Sequence, residues 1–466
     1  MTVRAVAAVD LGATSGRVVI GRIGDGRLDL ELVSRFPNGP VEREDGLHWD
    51  FGALYENILA GLAEAVRREP SVESIGIDSW AVDYGLIADG ELLAEPFHYR
   101  DDRTARGVVE VHAVAPFAEL YQRNGLQFLP FNTLYQYRAD ARLLEADVAL
   151  LIPDLIAYLL TGSAVAERTN ASTTGLLGVT TGEWDAEIVS RLGIRARILP
   201  PLVDPGTVIG TLRPELAQRI GAELPVIAVG SHDTASAVAA VPLSSPHSAY
   251  ISCGTWGLVG VELAEPTLTD AAREANFTHE RGVDGRYRFL HNVTGLWLLS
   301  ETVRAWEAED GAAIDLPALL DEASAVRDDV ALFDANDPSL SAPGDMPARI
   351  TTLLGDDAPT SRPTFARSIV ESIAAAFAAA IRTAVGLTGR EVDSIHLVGG
   401  GSLNRLLCQT TADRTGLPVL AGPVEATALG NVLVQARSLG AAPATLEELR
   451  ELVAATHPPT RYTPRA

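Results

Sequence analysis

Residues 7–17 read Ala7-Ala8-Val9-Asp10-Leu11-Gly12-Ala13-Thr14-Ser15-Gly16-Arg17. An apolar run ends on an acid, glycines and hydroxyls follow, and apolar residues resume at Val18, so the stretch predicts a strand, a tight turn and a returning strand. The pattern recurs about half a chain later. Residues 249–257 read Ala249-Tyr250-Ile251-Ser252-Cys253-Gly254-Thr255-Trp256-Gly257, aligning Gly254 with Gly12 and Ser252 with Asp10. Two such units point to a duplicated nucleotide-binding fold in which each half offers one phosphate loop.

Outward from the first turn, Gly24-Asp25-Gly26 predicts a hairpin into a third strand at 28–35. Phe51, Leu54, Ile58, Leu62 and Val66 then lie at helical spacing, and Ser74 to Asp78 reads as a short buried strand. Three antiparallel strands, a helix and a further strand resemble the core unit shared by actin, Hsp70 and sugar kinases. The fold class expected is therefore α/β, with two ribonuclease H-like domains and an interdomain cleft. Pro242 and Pro246, with the serines between them, suggest a boundary there. The expected division is 1–243, 244–438 and a polar, proline-containing tail over 439–466.

At 466 residues the chain exceeds the size at which single cores stop growing, which agrees with two domains. Its 37 basic and 61 acidic residues give a formal charge of -24, which repels a nucleic-acid backbone. A local phosphate site survives that charge, because backbone N–H groups and a cation suffice. Two cysteines are too few for a disulfide framework, and no basic leader precedes an apolar run, so a cytoplasmic location is expected. The most apolar long stretch, 369–387, repeats its bulky residues every four positions and is interrupted by Glu371 and Arg382. It reads as a core helix rather than a membrane span.

The first turn offers the Thr14 and Ser15 hydroxyls, the Ala13 and Gly16 backbone and the Arg17 cation, all suited to phosphate oxygens. Asp10, at the strand end, suits the Mg2+ of Mg-ATP, held through water. A plain hairpin in which Thr14 and Ser15 cap backbone groups is the alternative. Ser231-His232-Asp233-Thr234 follows an apolar strand and opens an Ala-rich helix, placing Asp233 at a strand-to-helix edge where ligands are met. Asp233 is the candidate general base; the alternative is that Ser231 or Asp233 only caps the helix, worth roughly 1 kcal/mol. Gly399-Gly400-Gly401, between a strand and a helix, permits close backbone approach to a nucleotide or forms a simple loop.

Taken together, 9–17, Ile75-Gly-Ile-Asp-Ser-Trp-Ala-Val-Asp83, Tyr99-Arg-Asp-Asp-Arg-Thr104 and Gln127-Phe-Leu-Pro-Phe-Asn-Thr-Leu-Tyr-Gln136 resemble the FGGY family of carbohydrate kinases. So do 169–174, 231–238, Cys253-Gly-Thr-Trp256, 285–292 and Gly422-Pro-Val-Glu-Ala426, so the likeness spans nearly the whole chain. It implies Mg-ATP-dependent phosphorylation of a small-molecule ketose, L-rhamnulose at its 1-hydroxyl, with L-fuculose or a ketopentulose as alternatives. It also implies that Ala13–Arg17, Thr255 and Gly400 line the ATP site, with Ser300 at a further nucleotide position. Ala81, His232, Asp233, Thr234 and Asn292 would face the sugar, with Asp233 as base and cleft closure following sugar binding. Two positions depart from the family pattern. Ala81 stands where glycine is frequent and adds a methyl to the sugar pocket, and Ser300 replaces a longer nucleotide-contacting glutamine. Functions of another kind, a nucleotide-gated binding protein or a silent sugar sensor, would not need the acid at 233.

Overall fold

In a computed structural model, which describes residues 3–243 and 245–465, the chain forms two compact α/β units. The first takes the chain up to Pro242 together with Leu263–Phe289 and Ala426–Thr456. The second takes Leu243–Glu262, Leu290–Glu425 and the chain from His457. One crossing thus falls at Pro242, but the chain returns twice to the first unit, which a single linear cut does not describe.

The first unit is built on a six-stranded mixed sheet. Its strands Arg4–Leu11, Ser15–Gly24 and Arg27–Pro37 form an antiparallel meander. On the other side of Arg4–Leu11 lie Val72–Ser79 and Pro225–Ile227, each parallel to its neighbour. Parallel neighbours carry their C-terminal ends to one edge of the sheet, and that edge holds Asp10, Asp78 and the segment after Ile227. The helix Phe51–Arg68 makes the connection to Val72–Ser79; Asp50 accepts from Ala53 N–H at its start, and Phe51, Leu54, Ile58 and Leu62 are buried. Each such side chain contributes roughly 1.5–3 kcal/mol.

The helix Ala426–Ser438 covers this sheet with Leu429, Val432 and Leu433. It lies close because the strands present glycine beneath it: a methyl on Gly76 would stand 2.6 Å from Gln435 Nε2. The segment after Ser438, expected to be a polar tail, is structured. Leu446–Thr456 is a helix burying Leu446, Leu449 and Val453, and the Arg450 guanidinium donates to the Val238 carbonyl at 3.1 Å. Its 3- and 4-residue apolar spacing, masked by charged neighbours, was the signal.

In the second unit Ser248–Cys253 pairs antiparallel with Trp256–Leu263 and parallel with Ser394–Val398. Val419–Ala421 continues the sheet in parallel, and Thr460–Tyr462 closes it antiparallel. The predicted apolar helix spans Arg362–Thr388, with Ser361 capping it by accepting from Thr364 N–H. Its length and composition would suit a membrane span, but Phe365, Ile369, Ile373, Phe377 and Ile381 are all buried in the protein. Phe377 packs where Gly257 leaves room: a methyl at that glycine would come within 2.7 Å of the ring.

Candidate active site

Both repeated turns exist, and they are unequal. In the first, Leu11 pairs with Gly16 around four residues, and Gly12 N–H donates to the Ser15 carbonyl at 2.9 Å. In the second, Cys253 pairs with Gly257 around three, and Gly254 N–H donates to the Trp256 carbonyl at 2.8 Å. The first turn is also clamped by Asn38, whose side-chain amide donates to the Gly12 carbonyl at 2.8 Å and whose N–H donates to Thr14. These bonds use main chain and Asn38 rather than the Thr14 and Ser15 hydroxyls.

Strand register decides what surrounds Asp10. It lies opposite Arg17 on one side and Asp78 on the other. The Arg17 guanidinium donates to Asp10 Oδ2 through Nε at 3.0 Å and Nη2 at 2.6 Å, a charge-assisted pair in which both bonds converge on one carboxylate oxygen. Asp78 is fully buried; Oδ2 accepts from Asn431 Nδ2 at 2.6 Å, and Oδ1 has no hydrogen-bond partner. Burial, with the neighbouring charge of Asp10, pushes its carboxyl well above the usual range.

Among the described residues no group of three or more His, Cys, Asp or Glu side chains is placed to hold a metal ion. Mg2+ in phosphoryl transfer takes only one or two carboxylates, keeps several waters and is otherwise held by substrate phosphates. A single strand-end carboxylate beside the orphaned Asp78 oxygen fits that donor set.

The parallel strand Pro225–Ile227 delivers Ser231 to Asp233 to the same edge, where Ser79 N–H donates to the Ser231 carbonyl at 2.9 Å. The helix Asp233–Ala239 starts from His232 with no side-chain cap. The Ser231 hydroxyl instead donates to buried Glu167 Oε2 at 2.8 Å, as does Ser231 N–H at 3.0 Å. Capping therefore explains neither residue. Asp233 Oδ1 accepts from the Thr234 hydroxyl at 3.1 Å and lies 3.4 Å from His232 Nε2. The carboxylate keeps 30% of its side-chain surface open, yet the surrounding protein desolvates it enough to raise its pKa, and the charge of Asp10 adds to the rise. A raised pKa improves a carboxylate as a base near neutrality.

Ala81 lies two residues past Ser79 in a fastened loop. Trp80 N–H donates to the Leu11 carbonyl at 3.2 Å, and the Val82 carbonyl accepts from the Thr133 hydroxyl at 2.7 Å and Gln136 Nε2 at 3.2 Å. Val82 has φ 69°, an outlying conformation for a β-branched residue that such anchoring sustains. Next to it, buried Asp83 accepts from the Trp49 and Trp80 indoles, Tyr99 N–H and Gln136. The Gln127–Gln136 motif thus acquires a local purpose, holding the loop that bears Ala81.

The remaining predicted residues belong to the second unit. Thr255 is half-buried in its turn, whose carbonyls accept from Gly295, Leu296 and Trp297 N–H at the start of the helix Trp297–Asp310. Ser300 is exposed on that helix, and Asn292 is half-buried on the strand Tyr287–Thr294. Of the triple glycine, Gly399 (φ 80°) and Gly401 are demanded by close approach to Cys253; a methyl would lie 2.9 Å from its carbonyl oxygen and 2.6 Å from its Cβ respectively. Gly400 faces open space. Since Ser252 pairs with Val398, the Thr255 turn and the Gly400 loop leave neighbouring strand ends. Sequence reasoning missed Asp78, Glu167 and Asn431; a carboxylate in an apolar run, as in Ala164-Val-Ala-Glu167, was the available sign.

The model for the N-terminal domain of the FGGY family of carbohydrate kinases matches residues 5–240, and that for the C-terminal domain matches 249–439. The chain belongs to the FGGY family of carbohydrate kinases. Its chemistry is phosphoryl transfer from ATP, and its acceptor is a small sugar. A rhamnulokinase of Bacteroides thetaiotaomicron is 39% identical over 98% of this chain and 95% of its own length. A rhamnulokinase of Pectobacterium carotovorum is 41% identical over 100% and 94%. The crystal structure of gluconate kinase from Lactobacillus acidophilus shares the fold at a TM-score of 0.80, with 18% identity over 100% of this chain and 94% of that one.

Proposed function

We propose that this FGGY kinase transfers the terminal phosphate of ATP to the 1-hydroxyl of L-rhamnulose, with Asp233 as general base. The observation carrying this reading is the Asp233 carboxylate: it stands at the edge of the sheet, caps no helix and accepts the Thr234 hydroxyl on Oδ1, so that Oδ2 would be the oxygen to meet the acceptor hydroxyl. The two full-length relatives named rhamnulokinase support the choice of ketose.

In the proposed reaction Oδ2 accepts the proton as the sugar oxygen bonds to the γ-phosphorus and the bond from that phosphorus to the bridging oxygen of ADP breaks. The transition state is loose, so the proton leaves late and orientation of the carboxylate outweighs its basicity. Ala81, Thr234 and Asn292 would position the ketose. The backbone at 13–17, Thr255 and Gly400 would receive the nucleotide, with Ser300 at a further nucleotide position where its short side chain replaces a longer contact. Mg2+, when bound, neutralises phosphate charge, and Asp10 would hold it through water.

A panel of ketoses assayed for sugar-dependent ADP release tests the substrate. L-Rhamnulose is expected to lead by kcat/KM; if L-fuculose or a ketopentulose leads, the Ala81 methyl has redirected the pocket and the substrate assignment is wrong. Asp233→Asn is expected to lower kcat by roughly 10²- to 10⁴-fold. A fully active variant would remove Asp233 from its role.

A further inference from the structure

His232 does not stand alone behind Asp233. Its ring is buried, and Nδ1 lies 2.9 Å from Arg288 Nη2. Arg288 has no exposed surface; its Nε donates to the Arg281 carbonyl at 3.1 Å, and its Nη2 lies 3.0 Å from Glu280 Oε2. Burial alone would raise the Glu280 carboxyl, but the Arg288 charge beside it holds it below its ordinary value. Buried Arg288 Nη1 makes no hydrogen bond, an uncompensated cost that packing does not explain.

The tautomer of His232 follows from these distances. An arginine in a protein does not give up its proton, so Nη2 donates and Nδ1 must hold a lone pair. Glu280 Oε2 also lies 3.3 Å from Nδ1, yet it accepts no well-formed hydrogen bond. That distance is the third side of a triangle that Arg288 closes. The one remaining ring proton then sits on Nε2, the atom facing Asp233 Oδ1 at 3.4 Å.

We propose that Arg288, paired with Glu280, is a positioning residue for phosphoryl transfer: it fixes His232 as the Nε2–H tautomer, so that a proton rather than a lone pair is turned toward Asp233 Oδ1, and this attraction, added to the hydrogen bond from the Thr234 hydroxyl, orients the carboxylate so that Oδ2 meets the acceptor. His232 then acts through Asp233 rather than by contacting the sugar. Glu280 and Arg288 fall in sequence within the match to the C-terminal family domain, but they pack in the first unit with Asp233. The proposal rests on Asp233 as the base.

Two measurements test it separately from that base. In full-length protein labelled with 15N-histidine, with His232 assigned from His232→Gln, the expected spectrum shows a bare Nδ1 and a protonated Nε2. A protonated Nδ1 overturns the proposal and needs no variant. Arg288→Met is expected to restore tautomer exchange and lower kcat by roughly 10- to 100-fold, as small misplacements of reacting groups do, with the KM for ATP unchanged. Arg288→Lys, which also only donates, should recover part of kcat; if the methionine variant does not fold, the histidine spectrum decides alone. A folded Arg288→Met enzyme with wild-type kcat overturns the proposal while Asp233→Asn remains strongly impaired. Full activity in Asp233→Asn would instead sink the base assignment, with the tautomer result standing.

Discussion

Gly430→Ala probes how tightly the Asp233 helix is held. The helix Ala426–Ser438 crosses Asp233–Ala239 at Gly430, where a methyl would stand 2.5 Å from the carbonyl carbon of Ser236 and closer still to its oxygen. Carbon atoms rest about 3.5–4.0 Å apart. Backbone on both sides leaves no side chain to rotate away, so the helices must separate by on the order of 1 Å. Overpacking of this kind costs roughly 1–3 kcal/mol, readable as a lower urea midpoint. Asp233 opens the displaced helix, so kcat per folded molecule is expected to fall by about 100-fold. Gly386→Ala is the control: that glycine lies within the helix Arg362–Thr388, and a methyl there would meet open space. It should stabilise by about 0.5–1 kcal/mol. A Gly430→Ala enzyme with unchanged midpoint and kcat would show that the helix crossing does not locate Asp233.

Buried His98 lies with its ring 4.1 Å from Trp49, accepts from Arg100 N–H on Nδ1, and is pushed down by burial to a pKa of about 3. The unfolded chain binds this proton below about pH 6.5 and the folded chain does not, so stability falls as pH drops from there towards 3. His98→Asn keeps an acceptor for Arg100 and cannot titrate; it should reduce the loss between pH 7 and 4 by roughly 3 kcal/mol, and an identical loss in both proteins would refute the assignment. Cys253 and Cys408 are buried, and burial raises both thiols, Cys408 to about 12. A thiol reagent should modify neither in the native protein and both in denaturant; fast native modification of either would contradict the burial.

The paired turns were legible because everything that makes them is local: apolar alternation, an acid, then small residues. Their difference in chemistry was legible too, from Ser252 standing against Asp10, but their difference in length was not, since an alignment of Gly12 with Gly254 carries no loop length and only strand register shows four residues against three. Asp233 could be nominated from its strand-to-helix context, but choosing between base and cap required knowing that Ser231 is spent on Glu167, 64 residues away. Arg288 and Glu280 were invisible for the same reason: their meaning lies in contact with His232, and a single sequence holds no such distances. Gly430 shows the intermediate case. A lone glycine inside an apolar helical run signals a packing reason without saying what is packed.

The alternation of segments in the first unit also governs when the enzyme can come into being. Asp78 and its partner Asn431 are separated by 353 residues, and at bacterial or eukaryotic synthesis rates of about 5–20 residues per second that interval lasts roughly 20–70 s. Until it ends, the sheet face that Ala426–Ser438 will cover has no lid, and the Asp233 helix lacks the helix that crosses it at Gly430. A product terminated before Ala426 therefore lacks one of the surfaces that locate Asp233.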